Sequence, residues 1–462
     1  MESEAERGPN NEVKRVLDRL GGYPLLDALR GRRSRRFAKG LALSGGPLAF
    51  ASSRRPEPLT TAEEAALAFA ASGVTGYALA ELPYQTDVHS NSGGGNIMTH
   101  FVGRTAPSGD GIHSQAVFVS NDDGTWMLLR PQDFPRTAVP ELVAAARAGK
   151  LVDLYERSRV QIADARVEVP REMPFVPPFN TWSANRPGTT YFLPVAEVSM
   201  LYLNLLLAAF SEELGYFVVD ERSGYRPAGL ARFARSRGGH LHDNVAAGRV
   251  ATVSSLETSI YELAAIEQGA IIQNLGLVAT ALGIGGFAHF ASHPFAWPRA
   301  LGFRMQDLRL SRIIGAGRVP ATVMRLTRQD LPMPTAVGLE RAGAILLKPF
   351  CPPYYASMAQ AVRAFVDYKH APGTGTQRDG GAATAWRDGS KIQAGIAPYS
   401  ETAIAATVAY AEYVHRRYGR FPSAGGPFRT VVAFQAHHLD PEFYERFYRP
   451  DTLGLDPAGD AR

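Results

Sequence analysis

Residues 269–286 read GAIIQNLGLVATALGIGG. The stretch is apolar almost all round, with Gln273 and Asn274 as its clear polar interruptions, and it ends in glycines. A helix that is hydrophobic on every side has to be buried on every side, so this segment predicts the centre of a fold. Upstream, Ser254-Ser255-Leu256-Glu257 has the Ser-x-x-Glu spacing of a capping box. Downstream, Gly283 can take the positive φ of a C-terminal cap without a Cβ clash. Together they bracket one helix of roughly 25–30 residues, against a usual ~11–12. The glycines that follow, Gly285 and Gly286, would let a backbone come close to a ligand.

The whole chain can bury such a helix. It has 462 residues, 45% hydrophobic and 20% charged, which is a globular rather than a disordered profile. With 49 Lys+Arg against 44 Asp+Glu, the net charge is 49 − 44 = +5. That is too mild to imply a nucleic-acid partner. Positive charge clusters once, at Arg30, Arg32, Arg33, Arg35, Arg36 and Lys39, with no acid between them. The single cysteine, Cys351, leaves no internal disulfide and no metal site built from several thiols, and reads as a buried structural thiol. The charged start has no apolar run of a secretory signal. Residues 195–210 contain Glu197, Ser199 and Asn204 and fall short of the ~20 apolar residues of a span. The expectation is a soluble cytoplasmic protein with no membrane segment and no metal.

Local patterns outline the other elements. Residues 1–20 and the last dozen are polar and read as loose chain, and residues 25–30 as a short helix. Thr60-x-x-Glu63 is a capping box that opens a helix through residues 65–71. Residues 83–111, rich in Gly, Ser, Asn and Thr, read as irregular loop. Residues 116–119 and 126–129 flank Asn121-Asp122-Asp123-Gly124, a hairpin signal. Residues 170–187 are proline-dense. Residues 195–214, 357–368 and 402–418 read as helices, residues 231–248 as a mobile loop or lid, and 319–326, 344–347 and 430–434 as strands. Helices dominate over a few real strands, so the class is α+β.

Three motifs could carry chemistry. In Arg32-Arg33-Ser34-Arg35-Arg36-Phe37, several guanidiniums and a hydroxyl can grip a phosphate; the plainer reading is a solvated basic loop. Pro107-Ser108-Gly109-Asp110 exposes backbone N–H groups and a hydroxyl suited to a ribityl chain or phosphate, or is an ordinary turn. Gly283-Ile284-Gly285-Gly286 follows a helix instead of a strand, so it is no dinucleotide fingerprint. His240, His242 and Asp243 pair a metal-like spacing with no third ligand, which favours a surface lid. His437-His438 with Asp440 is a capped strand end or a substrate contact.

In order and content, these elements resemble the FMN-dependent nitroreductase superfamily. The matching residues are Arg32-Arg33-Ser34-x-Arg36, Leu59-Thr60, Pro107-Ser108-Gly109 and the long-helix motif over residues 269–285. Gly73-Val74-Thr75-Gly76 followed by Pro107-Ser108-Gly109 is most similar to the branch that includes azoline-forming peptide dehydrogenases. The resemblance spans residues 25–135 and 250–350. It implies a nitroreductase-like three-layer α/β/α fold with a mixed, mainly antiparallel sheet and a long central helix. That helix, over residues 255–283, would pack against its twin in a homodimer. The chain then divides into a flexible tail (1–24), a core first half (25–135), an insertion or lid (136–252), a core second half (253–350) and a C-terminal extension (351–462).

The resemblance also implies the site. Arg32, Arg33, Ser34 and Arg36 would bind the FMN phosphate, ribityl chain or pyrimidine edge. Pro107, Ser108, Gly109 and Asp110 would reach the flavin from the partner subunit. Gly285, Gly286 and the stretch Ala288-His289-Phe290 would set backbone N–H groups near flavin N5 and O4. Lys348 is the candidate for the basic residue that completes the phosphate site, and Phe179, Trp182 and Tyr191 for the substrate pocket. The implied activity is hydride exchange between FMN and a small-molecule or peptide substrate, with NAD(P)H as a candidate reductant. The alternative is a relative that has lost FMN, or only stores it, and acts as a ligand-binding protein.

Overall fold

The computed structural model describes residues 9–82, 97–291 and 293–453. Residues 1–8, 83–96 and 454–462, where the sequence predicts loose or irregular chain, lie outside it.

One antiparallel sheet organises the chain. From one edge its strands run Gly285–Phe290, Val432–His437, Thr189–Glu197, Gln115–Asn121, Gly124–Leu128 and Arg159–Ala163. Phe428–Arg429 adds to the far end of Thr189–Glu197. The predicted hairpin is present: Asn121 stands opposite Gly124, and its Oδ1 accepts from the backbone N of Asp123 at 2.9 Å and of Gly124 at 3.2 Å.

Strand alternation sends side chains to two faces. Val117, Val119, Phe192, Phe434 and Ala436 pack with Ile271, Leu275 and Ala279 of the long helix. On the opposite face, Phe118, Tyr191, Leu193, Val195 and Ala433 pack with Trp297, Phe303, Leu339 and Leu347. Those partners come from the short helix Ala296–Ala300 and from a second antiparallel sheet, Phe303–Arg309, Pro332–Arg341 and Ala344–Leu347. Helices Ser199–Ala209, Met358–His370 and Glu401–Tyr418 enclose a further core around Tyr202, Phe365 and Tyr410. The class is α+β, as the sequence predicts.

The long helix runs Val253–Ala281, 29 residues. Its exit is the expected one: Gly283 has φ 68°, and Ile284 N donates to Ala279 O at 3.0 Å. Its entry lies two residues earlier than the motif suggests. Thr252 Oγ1 accepts from Ser255 N at 3.1 Å, and Ser255 Oγ accepts from Thr252 N at 3.0 Å. The side chains of the expected box are used elsewhere. Ser254 Oγ donates to Glu221, and the buried Glu257 carboxylate accepts from Ser423 N at 2.6 Å and Ala424 N at 2.7 Å. Burial is one-sided within a single chain. Val253, Ile260, Ala264, Ile271, Leu275 and Ala279 face inward, while Leu263 is 42% and Ile266 67% exposed.

Segments set apart on sequence grounds supply the middle of the sheet. Thr189–Glu197, from the segment read as an insertion, is an interior strand. So is Val432–His437, from the segment read as a C-terminal extension. The segment read as a tail includes the helix Pro9–Gly22, whose Arg19 Nε donates to Ala281 O at 2.8 Å and whose Val16 is buried. Residues 319–326, predicted as a strand from their β-branched content, form the helix Arg318–Leu326 with no buried residue; Gly317 before it and Pro320 in its first turn suit a helix start. Part of the region read as loop is the strand Val102–Arg104, paired with Val74–Tyr77.

Candidate ligand site at the sheet edge

The arginine element joins the outer edge of the sheet. After the helix Leu25–Gly31 the chain extends, and Arg35 N donates to Gly286 O at 3.2 Å in an antiparallel bridge. Lys39 N then donates to His438 O at 3.1 Å. This anchoring buries Arg35 and leaves Arg32, Arg33 and Ser34 exposed. The Arg32 stem crosses the long helix at Gly276, where an added Cβ would lie 3.7 Å from Arg32 Cδ. Arg33 Nη1 donates to Arg30 O at 2.9 Å and Arg32 O at 3.0 Å, curling the loop on itself.

Arg36 behaves differently. Its Nη2 donates to Asn180 Oδ1 at 2.6 Å, Ser183 Oγ at 2.9 Å and Phe179 O at 3.1 Å. Its guanidinium lies 4.7 Å from the Phe287 ring and 5.3 Å from the Trp182 ring. Burial pulls its pKa down, and Nε has no partner. Beside it opens a cleft of ≈ 240 Å³ lined by Arg33, Ser34, Arg36, Trp182, Tyr444 and Tyr448. One wall is rigid, since Phe37 stacks on Phe443 at 4.1 Å and 8°.

The edge strand Gly285–Phe290 continues past that bridge. Backbone groups of alternate residues face the same edge, so Ala288 and Phe290 present theirs on the side where Gly286 meets Arg35. The Arg35 bond is a backbone hydrogen bond on this edge, and the Phe290 backbone is engaged by the His289 ring. Gly285 and Gly286 serve protein packing here. A Cβ on Gly285 would meet Leu439 Cδ2 at 2.5 Å and His437 Nε2 at 2.6 Å; one on Gly286 would meet Phe434 Cζ at 2.4 Å. The close approach they were expected to give a ligand is taken by these side chains.

The structure does not gather the other predicted residues at this cleft. Ser108 Oγ accepts from His113 N at 2.8 Å, and Asp110 sits at φ 55° with its Oδ2 3.3 Å from Asn204 Nδ2. Pro107 and Gly109 complete that turn. Burial pushes the Asp110 carboxyl up, against the pull of Lys369. The fully buried Lys369, its pKa pulled well down by burial, donates to Asn204 Oδ1 at 2.8 Å and Tyr399 OH at 2.7 Å. Asn274 Nδ2 donates to Thr105 O at 3.1 Å, just before the turn. Asn274 and Gly276 are two residues apart, about 200° around the helix. The turn and the arginines therefore lie on different sides of it. Lys348 Nζ lies 4.4 Å from the Tyr355 ring and does not line the cleft.

His240, His242 and His438 have structural partners. His240 Nε2 meets Phe210 O at 2.9 Å, and His242 Nε2 meets Arg249 Nη1 at 3.1 Å. Among the described residues, no three of His, Cys, Asp and Glu gather as a metal site. His438 Nε2 lies 3.3 Å from Glu63 Oε2, and Asp440 caps the helix Pro441–Phe447 by accepting from Glu442 N at 3.1 Å. Cys351 is buried, which pushes its thiol up. Sequence reasoning missed Phe443, Tyr444 and Tyr448 as cleft walls and Lys369 as a buried cation. The Asp440-Pro441 helix start was the one local signal for the first three.

No protein-family model matches the chain, and no curated protein matches it. Among solved structures it is similar to a proposed nitroreductase from Ralstonia eutropha JMP134, with 14% identity and a TM-score of 0.30, over 61% of this chain and 77% of that one. At that score the likeness fixes neither fold nor chemistry. Among the described residues, no helix is long and apolar enough to cross a membrane.

Proposed function

We propose that the protein is an FMN-dependent oxidoreductase of the nitroreductase type, exchanging hydride with a small-molecule or peptide substrate. The observation that carries this reading is the bond from Arg35 N to Gly286 O. It sets the exposed Arg32, Arg33 and Ser34 on the same edge as the open backbone of Ala288.

These residues fit the phosphate end of a flavin nucleotide. The Arg32 guanidinium and the Ser34 hydroxyl have no hydrogen bond among the described residues, and a phosphate dianion wants guanidinium forks and a hydroxyl. Arg36 is better read as the holder of the cleft wall, because its fork is spent on Asn180, Ser183 and Phe179. When bound, FMN would supply a hydride acceptor and donor at N5. The chain's part is to grip the phosphate with Arg32, Arg33 and Ser34, to offer the Ala288 N–H along the edge, and to exclude water with Trp182 and Tyr448.

In this reading, Pro107, Ser108, Gly109 and Asp110 come to the flavin from a second copy. The exposed Leu263 and Ile266 of the long helix favour such a homodimer. The motif at Gly73 to Gly76 favours the azoline-dehydrogenase-like branch; NAD(P)H is the candidate reductant and the cytoplasm the candidate location.

The second reading is a protein that binds its ligand without turnover. The placement of Lys348 against Tyr355, away from the cleft, favours it. The visible spectrum of purified protein, before and after FMN is added, separates the two. Flavin bands at one per chain, lost in Arg32→Ala with Ser34→Ala, support the oxidoreductase. A colourless protein that FMN cannot reconstitute overturns it.

A further inference from the structure

The strands Phe303–Arg309 and Pro332–Arg341 pair to their ends, with Arg309 opposite Pro332. The chain between them, residues 310–331, leaves the sheet and forms two short helices, Leu310–Ile313 and Arg318–Leu326. Its foot is tied. Leu310 N donates to Leu331 O at 3.0 Å, and the buried Asp330 carboxylate accepts from Ser311 N at 2.8 Å and Ser311 Oγ at 2.9 Å. The outer helix, Arg318–Leu326, has no buried residue. Val319, Val323 and Leu326 recur at the i, i+4, i+7 spacing of one face, and they are 74%, 51% and 79% exposed. Ile314 and Leu331, nearer the foot, are 48% and 57% exposed. Aliphatic residues gathered on one exposed face mark an interaction surface.

Charge narrows the choice of partner. Residues 308–329 carry Arg309, Arg312, Arg318, Arg325 and Arg328 and no acid; Asp307 and Asp330 bracket the run. All five arginines are exposed, and Arg325 also reaches Asp330 Oδ2 at 3.3 Å. Arg318 and Arg325 border the aliphatic stripe on one side of the helix, and Arg328 follows its end. A second copy is disfavoured, because a two-fold contact would set these arginines against each other. The partner is therefore anionic. The excursion has no Trp, Tyr or Phe, the side chains that anchor protein interfaces. An aliphatic stripe bordered by arginines is instead the composition of a helix that lies in the plane of a bilayer surface.

We propose that this excursion docks the protein on an anionic phospholipid surface, with Val319, Val323 and Leu326 turned to the acyl boundary and Arg318, Arg325 and Arg328 to the headgroups. The nine-residue helix is too short to span a bilayer and lies on it. The proposal stands apart from the flavin reading, because the Arg32–Arg36 edge takes no part in it.

The test is co-sedimentation of the full chain with vesicles of phosphatidylcholine alone or with phosphatidylserine added. Wild-type protein is expected to sediment with the anionic vesicles, to stay in solution with the neutral ones, and to be released by high salt. Val323→Asp with Leu326→Asp changes two exposed positions, should leave the circular dichroism spectrum unchanged, and is expected to abolish sedimentation. Arg318→Gln with Arg328→Gln is expected to weaken partition about 25-fold, about fivefold for each charge lost at an anionic surface. Wild-type protein that ignores anionic vesicles overturns the proposal and leaves the stripe to an acidic protein partner. Equal binding to neutral vesicles overturns it, as does undiminished sedimentation of the folded Val323→Asp, Leu326→Asp variant.

Discussion

The Arg36 guanidinium lies 4.7 Å from the centroid of the Phe287 ring, clamping the edge strand to the irregular segment that carries Asn180 and Ser183. Arg36 is therefore a structural residue, whereas the proposed flavin site gives Arg32 a ligand-binding role. A lysine at 36 keeps the charge but cannot reproduce the fork. Arg36→Lys should cost about 2–3 kcal/mol from the lost charged hydrogen bonds and ring contacts. Arg32→Ala should leave stability within about 0.5 kcal/mol, as surface changes do, while weakening FMN. Urea unfolding together with an FMN titration measures both. Equal destabilisation by the two changes would show the assignment to be wrong.

The glycines at the helix exit make a second separation. If Gly285 and Gly286 were kept open for a ligand, Gly286→Ala would lower affinity and leave the ligand-free protein stable. The added Cβ would instead stand 2.4 Å from Phe434 Cζ, in a core where that ring is 4% exposed. Overpacking of this kind costs about 1–3 kcal/mol. Gly286→Ala should lose that much in ligand-free chemical denaturation, and an unchanged midpoint would return the glycine to the ligand.

The sequence made the helix at residues 253–281, its glycine exit and the hairpin at Asn121 legible, because caps and turns are written in adjacent residues. Only the family resemblance, and no local pattern, implied that Arg32–Arg36 lie near the residues after the helix. The sequence did not place Thr189–Glu197 or Val432–His437 in the sheet interior. Their partners are far away in sequence, and no local pattern encodes such a pairing. The contact between the Tyr191 and His289 rings, with centroids 5.2 Å apart, was hidden for the same reason, since it forms across the strand Val432–His437.

His437 gives the protein a dependence on pH. It is fully buried, and burial, then the neighbouring His438, holds it down to about 3 against the opposing pull of the Arg35 backbone. The folded-state pKa is thus depressed below the usual ~6.5. The unfolded chain takes up a proton below 6.5 that the folded chain refuses. Stability is full above 6.5 and falls as pH drops toward about 3. His100 and His289, each held to about 4, and His370, held to about 3, act in the same direction. Buried acids raised by desolvation, such as Glu64 and Glu197, act oppositely but are common to both proteins compared. His437→Leu should therefore lose about 2 kcal/mol less than wild type between pH 7 and pH 5. Urea midpoints at the two pH values check this, and parallel losses would show that the ring is protonated in the folded state.

The long helix was expected to be buried on every side, and within one chain it is not. Its inward face packs on the sheet, but Ile266 is 67% and Leu263 42% exposed, and Leu25, Leu26 and Leu29 of the neighbouring short helix are 68%, 55% and 50% exposed. Aliphatic surface concentrated on adjacent helices is typical of a surface covered by another protein. A second copy satisfies it with the same residues on both sides, as two-fold interfaces do, and would supply the Pro107–Asp110 turn that a single chain holds away from its own arginines. Ile266→Arg places a charge at the centre of that face without disturbing the inward one. The variant should fold with an unchanged circular dichroism spectrum, sediment as a monomer where wild type sediments as a dimer, and lose FMN along with the interface. A wild-type protein that is monomeric at micromolar concentration, or a variant that stays dimeric, would place the second copy elsewhere and leave the exposed helix face to a different partner.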